Sequence, residues 1–425
     1  MIEDSDKVIL ERSSQAQAAV LLSPAVSVEA LAVAQRSTLL ALGGATFLAM
    51  LPVTLIVPVL KEVLIDRFGA STFWTHSFMS INLVGAVLAS PLIAALCDRG
   101  SRRSRTITLA LVGDGVLLLA MSVAPTLPLL LALRAVEGAM HMLAISGLMA
   151  LAADHSDATH RGRVMGLLGA CLMIGTAAGT RLGGVIPHAW TLAAAGGIGL
   201  AAACFAGLFV RDAGRHLSTA RATDALSLLR AQPGLLVPYA YTFIERFCAG
   251  LIISTFGLFL AAVHNLSPDA RSKLLVTFLL PFALLTYPMG RLGDRLGQAT
   301  LLTIGGLGFG IVFALYGFVS ATWLAVLMLC SGILSAMMFA PTLALCAQFS
   351  PGARRGAGFA GFNAAGSLGF LFGPLAGGAI CTLLAAQAGT LGAYRATFVI
   401  AGAVQFALAL ACLPFLLRLR AARSA

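Results

Sequence analysis

The chain has 425 residues, of which 59% are hydrophobic and 11% charged, with a formal net charge of +11, and its mean hydropathy is +0.93. Soluble domains carry about 25% charged residues, so water is not the main solvent of this chain. A basic balance of this size raises nucleic acid as a partner, and only the placement of the basic residues can decide that.

Residues 1–37 open with Glu3, Asp4 and Asp6 instead of a basic stretch and an apolar core, so a mobile cytoplasmic tail is expected there and not a cleavable leader. Apolar stretches then follow at 38–60, 74–96, 106–124, 128–152, 164–186, 190–210, 236–262, 273–290, 299–319, 321–348, 357–384 and 396–417. At 1.5 Å per residue, about 20 apolar residues cross a hydrocarbon core of about 30 Å, so each stretch reads as a membrane-spanning helix. Residues 38–210 and 236–417 are read as two six-helix bundles. Between them 211–235 forms a polar cytoplasmic linker, and 418–425 a second cytoplasmic tail.

The loops that follow even-numbered spans contain Arg99, Arg102, Arg103 and Arg105, then Arg161 and Arg163, then Arg211, Arg215, Arg221 and Arg230. The series continues with Arg291 and Arg295, Arg354 and Arg355, and Arg418, Arg420 and Arg423. The opposite loops hold only Lys61, Arg67, Arg271, Lys273 and Arg395. The positive-inside rule therefore puts both termini in the cytoplasm of a bacterial-type inner membrane. The basic charge is topology, and no nucleic-acid partner is expected.

Shifting the chain by 194 residues lays Gly138 on Gly332, Arg161 on Arg355 and Gly162 on Gly356. The same shift lays Gly175, Gly179, Gly183 and Gly184 on Gly369, Gly373, Gly377 and Gly378, which indicates duplication of a six-helix unit. Within the repeat, Gly290 to Gly297 reads G-x-x-x-D-R-x-G around Asp294 and Arg295, and Asp98-Arg99-Gly100-Ser101-Arg102-Arg103 is its weaker partner. The fourth span has Arg134-x-x-Glu137-Gly138. The fifth has Gly175-x-x-x-Gly179-Thr180-x-x-Gly183-Gly184, and the eleventh repeats it with Gly373-Pro374.

These motifs, in register over nearly the whole chain, resemble the major facilitator superfamily and within it the twelve-helix drug:proton antiporters. The resemblance implies an all-α membrane protein of two pseudo-symmetric six-helix bundles, with a cavity lined by helices 1, 4, 7 and 10. It further implies proton-driven export of a small organic molecule such as a drug, a siderophore or an amphipathic metabolite. Uptake by proton symport is the alternative, and a non-transporting receptor or assembly factor is a third reading. Thr180 and Arg181 depart from the antiporter motif. The implied partners are a small-molecule substrate, protons and the lipid bilayer, and the chain is expected to act as a monomer.

A charge at the centre of a membrane helix costs about 2.5 to 3.5 kcal/mol on insertion scales, so ionisable groups inside the spans mark function. Arg134, Glu137 and His141 fall at i, i+3 and i+7, on one face of the fourth span, and that face is expected to meet water or substrate. Glu245 and Arg246 sit together in the seventh span but point about 100° apart, so one is expected to face the cavity while the other braces a neighbour. Glu137 and Glu245 are the candidate proton carriers, with Asp114 next. Arg134, His141, Arg181 and Arg246 are the candidate cavity residues. A permanent Arg134–Glu137 pair, a helix-to-helix hydrogen bond from Asp114 and neutralisation of a carboxylate by Arg181 are the plainer alternatives.

Asp98, Arg99, Arg102, Asp294 and Arg295 are expected to latch neighbouring helices and to release them as the bundles rock. Gly175, Gly179, Gly183, Gly184, Gly369, Gly373, Pro374, Gly377 and Gly378 are expected to allow close helix packing. The eight cysteines lack metal-ligand spacing, and no P-loop, zinc-type histidine cluster or nucleophile elbow occurs. No cofactor, metal or enzymatic chemistry is expected.

Overall fold

The computed structural model describes residues 24–98, 103–155, 161–212, 222–350 and 355–424, and every regular element among them is helical. Hydrocarbon offers backbone groups no hydrogen-bond partner, so an apolar segment that crosses it satisfies its N–H and C=O groups within itself. The first half contains α1 (Pro24–Leu55), α2 (Thr72–Asp98), α3 (Arg103–Ser122), α4 (Leu127–Asp154), α5 (Arg161–Val185) and α6 (His188–Phe209). A short helix, Ala222–Ala231, leads to the second half. There α7 covers Pro233–Ala262, followed by α8 (Pro268–Leu296), α9 (Gln298–Ala314) and α10 (Ala321–Phe349). The final helix, Arg355–Ser424, breaks at Gly389, where φ is 68° and ψ 173°. Residues 355–388 are α11 and 390–424 are α12.

Ten segments among the described residues are long and apolar enough to cross a membrane. The last of them, Ala357–Arg418, contains the Gly389 break and is two crossings, and α2 with its 27 residues supplies the twelfth. Within the first half α1 packs on α5 and α6, α2 on α4, and α3 on α4 and α6. The second half repeats the plan, with α7 on α11, α8 on α10 and α9 on α12. The halves meet where α5 crosses α8 and α2 crosses α11. This is the twelve-helix, two-bundle arrangement that the repeat implies.

Glycine sets the tightness of these contacts. A β-carbon at Gly175, Gly179 or Gly183 of α5 would lie 2.6, 2.5 or 1.8 Å from the carbonyl oxygens of Phe47, Leu51 and Leu55 on α1. One at Gly369 or Gly373 of α11 would lie 2.1 or 2.3 Å from those of Phe243 and Phe247 on α7. Gly138 and its repeat mate Gly332 do the same for α4 on α2 and α10 on α8, at 1.9 Å from Asn82 O and 2.4 Å from Phe278 O. Only backbones without side chains approach this closely.

Element ends differ from the sequence reading in several places, and α12 runs on to Ser424 instead of ending at 417. The α1 helix starts at Pro24 and not near 38, because the Ala-, Val- and Glu-bearing stretch ahead of the span continues the helical ladder. The eighth helix starts at Pro268, five residues early, where the Ser267 hydroxyl oxygen caps it by accepting from Ala270 N at 3.4 Å and Pro268 occupies the first turn. No loop separates α11 from α12, only the left-handed Gly389. The linker is partly folded: Ala222–Ala231 buries Leu228 against Leu235, Tyr239 and Cys346 of the second half. Both α7 and the stretch after α1 carry π-helical turns, at Ile252–Phe256 and Lys61–Asp66, a feature that often accompanies functional sites.

Candidate functional site

Gly138 and Gly85 bring α4 and α2 into backbone contact, a β-carbon at Gly85 lying 1.7 Å from Ala135 O. That approach delivers Asn82 to the polar face of α4. Asn82 Nδ2 donates to Glu137 Oε2 at 2.7 Å, and Arg134 Nη1 donates to the same oxygen at 2.9 Å. The Arg134 guanidinium lies 5.0 Å over the Phe78 ring and 3.8 Å from Met79 Sδ, both on α2. From α3, Asp114 Oδ2 stands 3.5 Å from His141 Nδ1, an ion-pair distance without a formed hydrogen bond. One ligating atom from each of Asp114, Glu137 and His141 lies within 4.8 Å of the others.

This cluster is enclosed. Arg134, Glu137 and Asp114 have 0% exposure and His141 has 6%. The expected water-facing stripe is thus turned into the first half in this conformation, against α2 and α3. Asp114, which its position between Gly113 and Gly115 left ambiguous, faces α4 and joins the same group. The cluster is also incompletely satisfied: Glu137 Oε1, both Asp114 oxygens, His141 Nδ1 and Arg134 Nε have no hydrogen-bond partner. Asn82, Phe78 and Met79 were absent from the sequence reading. An asparagine in an apolar span was the available signal for the first, and nothing in the pattern marked the other two.

On α7 the adjacent pair diverges as its helical spacing requires. Glu245 is 4% exposed and turned into the second half, and its Oε2 has no partner. Tyr241 and Cys248 share its buried face, with the Tyr241 hydroxyl also unpartnered. Arg246 is only half-buried, with its guanidinium 5.2 Å over Phe339 of α10 and 5.4 Å over Phe370 of α11. The structure therefore separates the Glu245–Arg246 pair from the α4 group and splits its two members between different surroundings.

Arg181 lies elsewhere, where α5 meets α8. Its Nη1 is 2.8 Å from Asp269 Oδ1 and donates to Ser272 Oγ at 3.1 Å, while Lys273 Nζ reaches Asp269 Oδ2 at 2.6 Å. Beside them Glu62, just beyond α1, pairs with Arg271, which is 1% exposed. These ties join the two halves at the face away from the termini. Asp66 pairs there with Lys61 at 2.8 Å.

At the opposite face, Asp294 is exposed and accepts from Gln298 Nε2 at 2.9 Å, and Arg295 is exposed. Arg99, Arg102 and the side chain of Asp98 lie outside the described residues. Next to them Arg103 forms a buried ion pair with Asp154, and Asp212 accepts from the Ser104 hydroxyl at 2.8 Å. Those contacts tie α3 to the ends of α4 and α6, and Asp154 and Asp212 were not anticipated. In the glycine ladders, Thr180 returns its hydroxyl to Thr176 O at 2.8 Å, whereas Pro374 packs on Gly250 of α7.

A family model described as Major Facilitator Superfamily matches residues 42–268 and 239–425. Among curated relatives, the class C tetracycline resistance protein of Escherichia coli is 30% identical over 47% of this chain and 52% of its own length. The multidrug efflux pump LfrA of Mycolicibacterium smegmatis is 35% identical over 38% of this chain and 30% of its own length. The chain thus spans about half of the first relative and less than a third of the second. Among solved structures, a bacterial homologue of the human lysosomal transporter Spinster, inward-facing and unoccupied, superposes with a TM-score of 0.73 at 16% identity. The superposition covers 90% of this chain and 95% of that one. The nucleoside transporter NupG gives 0.70 at 14% identity over 88% of this chain and 98% of that one.

Proposed function

Because this chain belongs to the Major Facilitator Superfamily, and is therefore a multi-pass membrane transporter, we propose that it exports a small organic molecule in exchange for protons by alternating access. The observation that carries the reading is the enclosed Asp114–Glu137–His141–Arg134 group with its unpartnered carboxylate oxygens. Buried polar atoms without partners are costly. One proton shared between Asp114 and Glu137 supplies a donor to oxygens that otherwise have none. Removing that proton leaves two acids beside Arg134, and the group then attracts cations more strongly.

Glu137 is the carrier in this reading, with Asp114 as the group that shares its proton. His141 positions Asp114, and Arg134 and Asn82 fix the other edge of the Glu137 carboxylate. Since the group is closed to solvent here, it loads and unloads only when the halves rock. The ties at Glu62–Arg271 and Arg181–Asp269 hold the face away from the termini shut in this conformation. The excess of basic residues at the face that carries the termini supports a cytoplasmic position for it.

Export is supported by the glycine ladders of α5 and α11 and by the relatives, one named a multidrug efflux pump and the other a tetracycline resistance protein. The test is transport in proteoliposomes of known orientation, with tetracycline, ethidium and 2-naphthoate as probes. Export by antiport predicts that an inward proton gradient drives a probe outward against its own gradient. Movement of probe and proton in the same direction establishes symport and overturns the reading.

A further inference from the structure

Other arginines of the described helices each hold a carboxylate: Arg103 holds Asp154, Arg134 holds Glu137, Arg181 holds Asp269 and Arg271 holds Glu62. Arg67 and Arg395 donate to backbone carbonyls. Arg246 differs. No described residue gives its guanidinium a hydrogen bond or an ion pair, and its neighbour Glu245 is turned away into the second half, with Oε2 unpartnered. Phe339 and Phe370 cover it at 5.2 and 5.4 Å, and Phe339 is itself held edge-on by Phe282 of α8 at 5.6 Å. Gly366 and Gly369 of α11 leave room for its stem, a β-carbon there lying 3.3 and 3.0 Å from its Cγ and Cβ.

We infer that Arg246, Phe339 and Phe370 form a binding site for a monoanionic carboxylate that carries an aromatic ring. Aromatic faces attract a guanidinium and hold its plane, but they bring no negative charge to compensate it. What no described protein group meets is the N–H edge, whose two parallel donors match the two oxygens of a carboxylate. Glu245 lies next to Arg246 in sequence but makes no ion pair with it, so an anionic ligand supplies the contact that the guanidinium lacks, and a cationic cargo is disfavoured there. The phenyl rings of α10 and α11 continue the site as an apolar wall suited to a flat ring. This assignment rests on the transport reading above for one point, that the chain moves a small organic cargo through a cavity that α7 and α10 help to line.

The experiment is calorimetric titration of the purified full chain with three probes of one ring size: 2-naphthoate, neutral 2-naphthamide and cationic 2-naphthylmethylammonium. Wild type is expected to bind naphthoate about 10- to 100-fold more tightly than naphthamide, the range for hydrogen bonds to a charged group, and the ammonium most weakly. Arg246→Gln is expected to erase the preference for naphthoate, and Arg246→Lys to retain part of it. If Arg246→Gln does not fold, the double variant Phe339→Leu, Phe370→Leu retains the arginine and is expected to weaken naphthoate and naphthamide alike.

The proposal is overturned if wild type binds the ammonium as tightly as naphthoate, or does not bind naphthoate, or if Arg246→Gln binds naphthoate undiminished. Arg246-dependent naphthoate binding without proton movement in vesicles upholds the site and sinks the exporter reading. Proton-driven export of the cation alone, with no naphthoate binding, does the reverse.

Discussion

In the first half Glu137 receives Asn82 and Arg134 on one oxygen and has Asp114 and His141 beside it. In the second half Glu245 is just as deeply placed but has no such company, and the cation next to it turns toward aromatic rings. Both halves use the same backbone plan, with glycines of α5 seated on α1 and those of α11 on α7. The repeat therefore constrains helix contacts, where a single β-carbon is excluded, and leaves side-chain chemistry free to diverge. In this account the first half handles the proton and the second half handles the cargo.

Stability separates the halves most strongly. Glu137→Ala strands the fully buried Arg134, and breaking one partner of a buried ion pair costs about 3 to 5 kcal/mol. Glu245→Leu strands no cation and removes an unpartnered acid, so its melting temperature is expected to match or exceed wild type. Thermal unfolding of the two purified variants checks the order, and equal losses would remove the contrast.

A β-carbon at Gly183 meets the Leu55 carbonyl at 1.8 Å, while one at Gly377 meets the movable Thr255 hydroxyl at 2.2 Å. Gly183→Ala is thus expected to lose about 1 to 3 kcal/mol, the usual range for overpacking, and Gly377→Ala less. Comparative melts decide this, and a larger loss at Gly377 would show that the second ladder is the less forgiving one.

Twelve crossings, the repeat and the close-packing glycines were readable from the sequence because length, apolarity and spacing depend on local residues alone. The candidate acids and arginines were also visible, as costly residues in apolar runs. Their neighbours were not, since Asn82, Phe78, Phe339 and Phe370 reach the charges only through contacts between helices distant in sequence. Arg181 illustrates the limit: the motif marks the residue, but its tie to Asp269 depends on α5 crossing α8. The Ser267-Pro268 start of α8 was legible as a cap and first-turn pair, yet hydropathy placed the span five residues later.

Smaller effects are expected at the face away from the termini. Arg181→Gln loosens an exposed tie and Arg271→Gln a buried one, and exposed ion pairs contribute little. Spin labels across that face are expected to show a modest rise in the open population for Arg181→Gln and a larger one for Arg271→Gln. Identical distance distributions in both variants and wild type would mean that these pairs do not latch the halves. Asp294→Asn, at the opposite face, is expected to slow turnover with little change in probe binding, and unchanged turnover would show that acid to be dispensable.

The central claim is that the Asp114–Glu137 pair carries the coupled proton. Its most direct test is uphill transport driven by an imposed pH gradient, with whichever of tetracycline, ethidium or 2-naphthoate the wild type moves. The account predicts that the Asp114→Asn, Glu137→Gln double variant loses uphill transport but still equilibrates the probe downhill, while Glu245→Gln retains gradient-driven transport. Undiminished uphill transport by the double variant, with wild-type pH dependence, would contradict it.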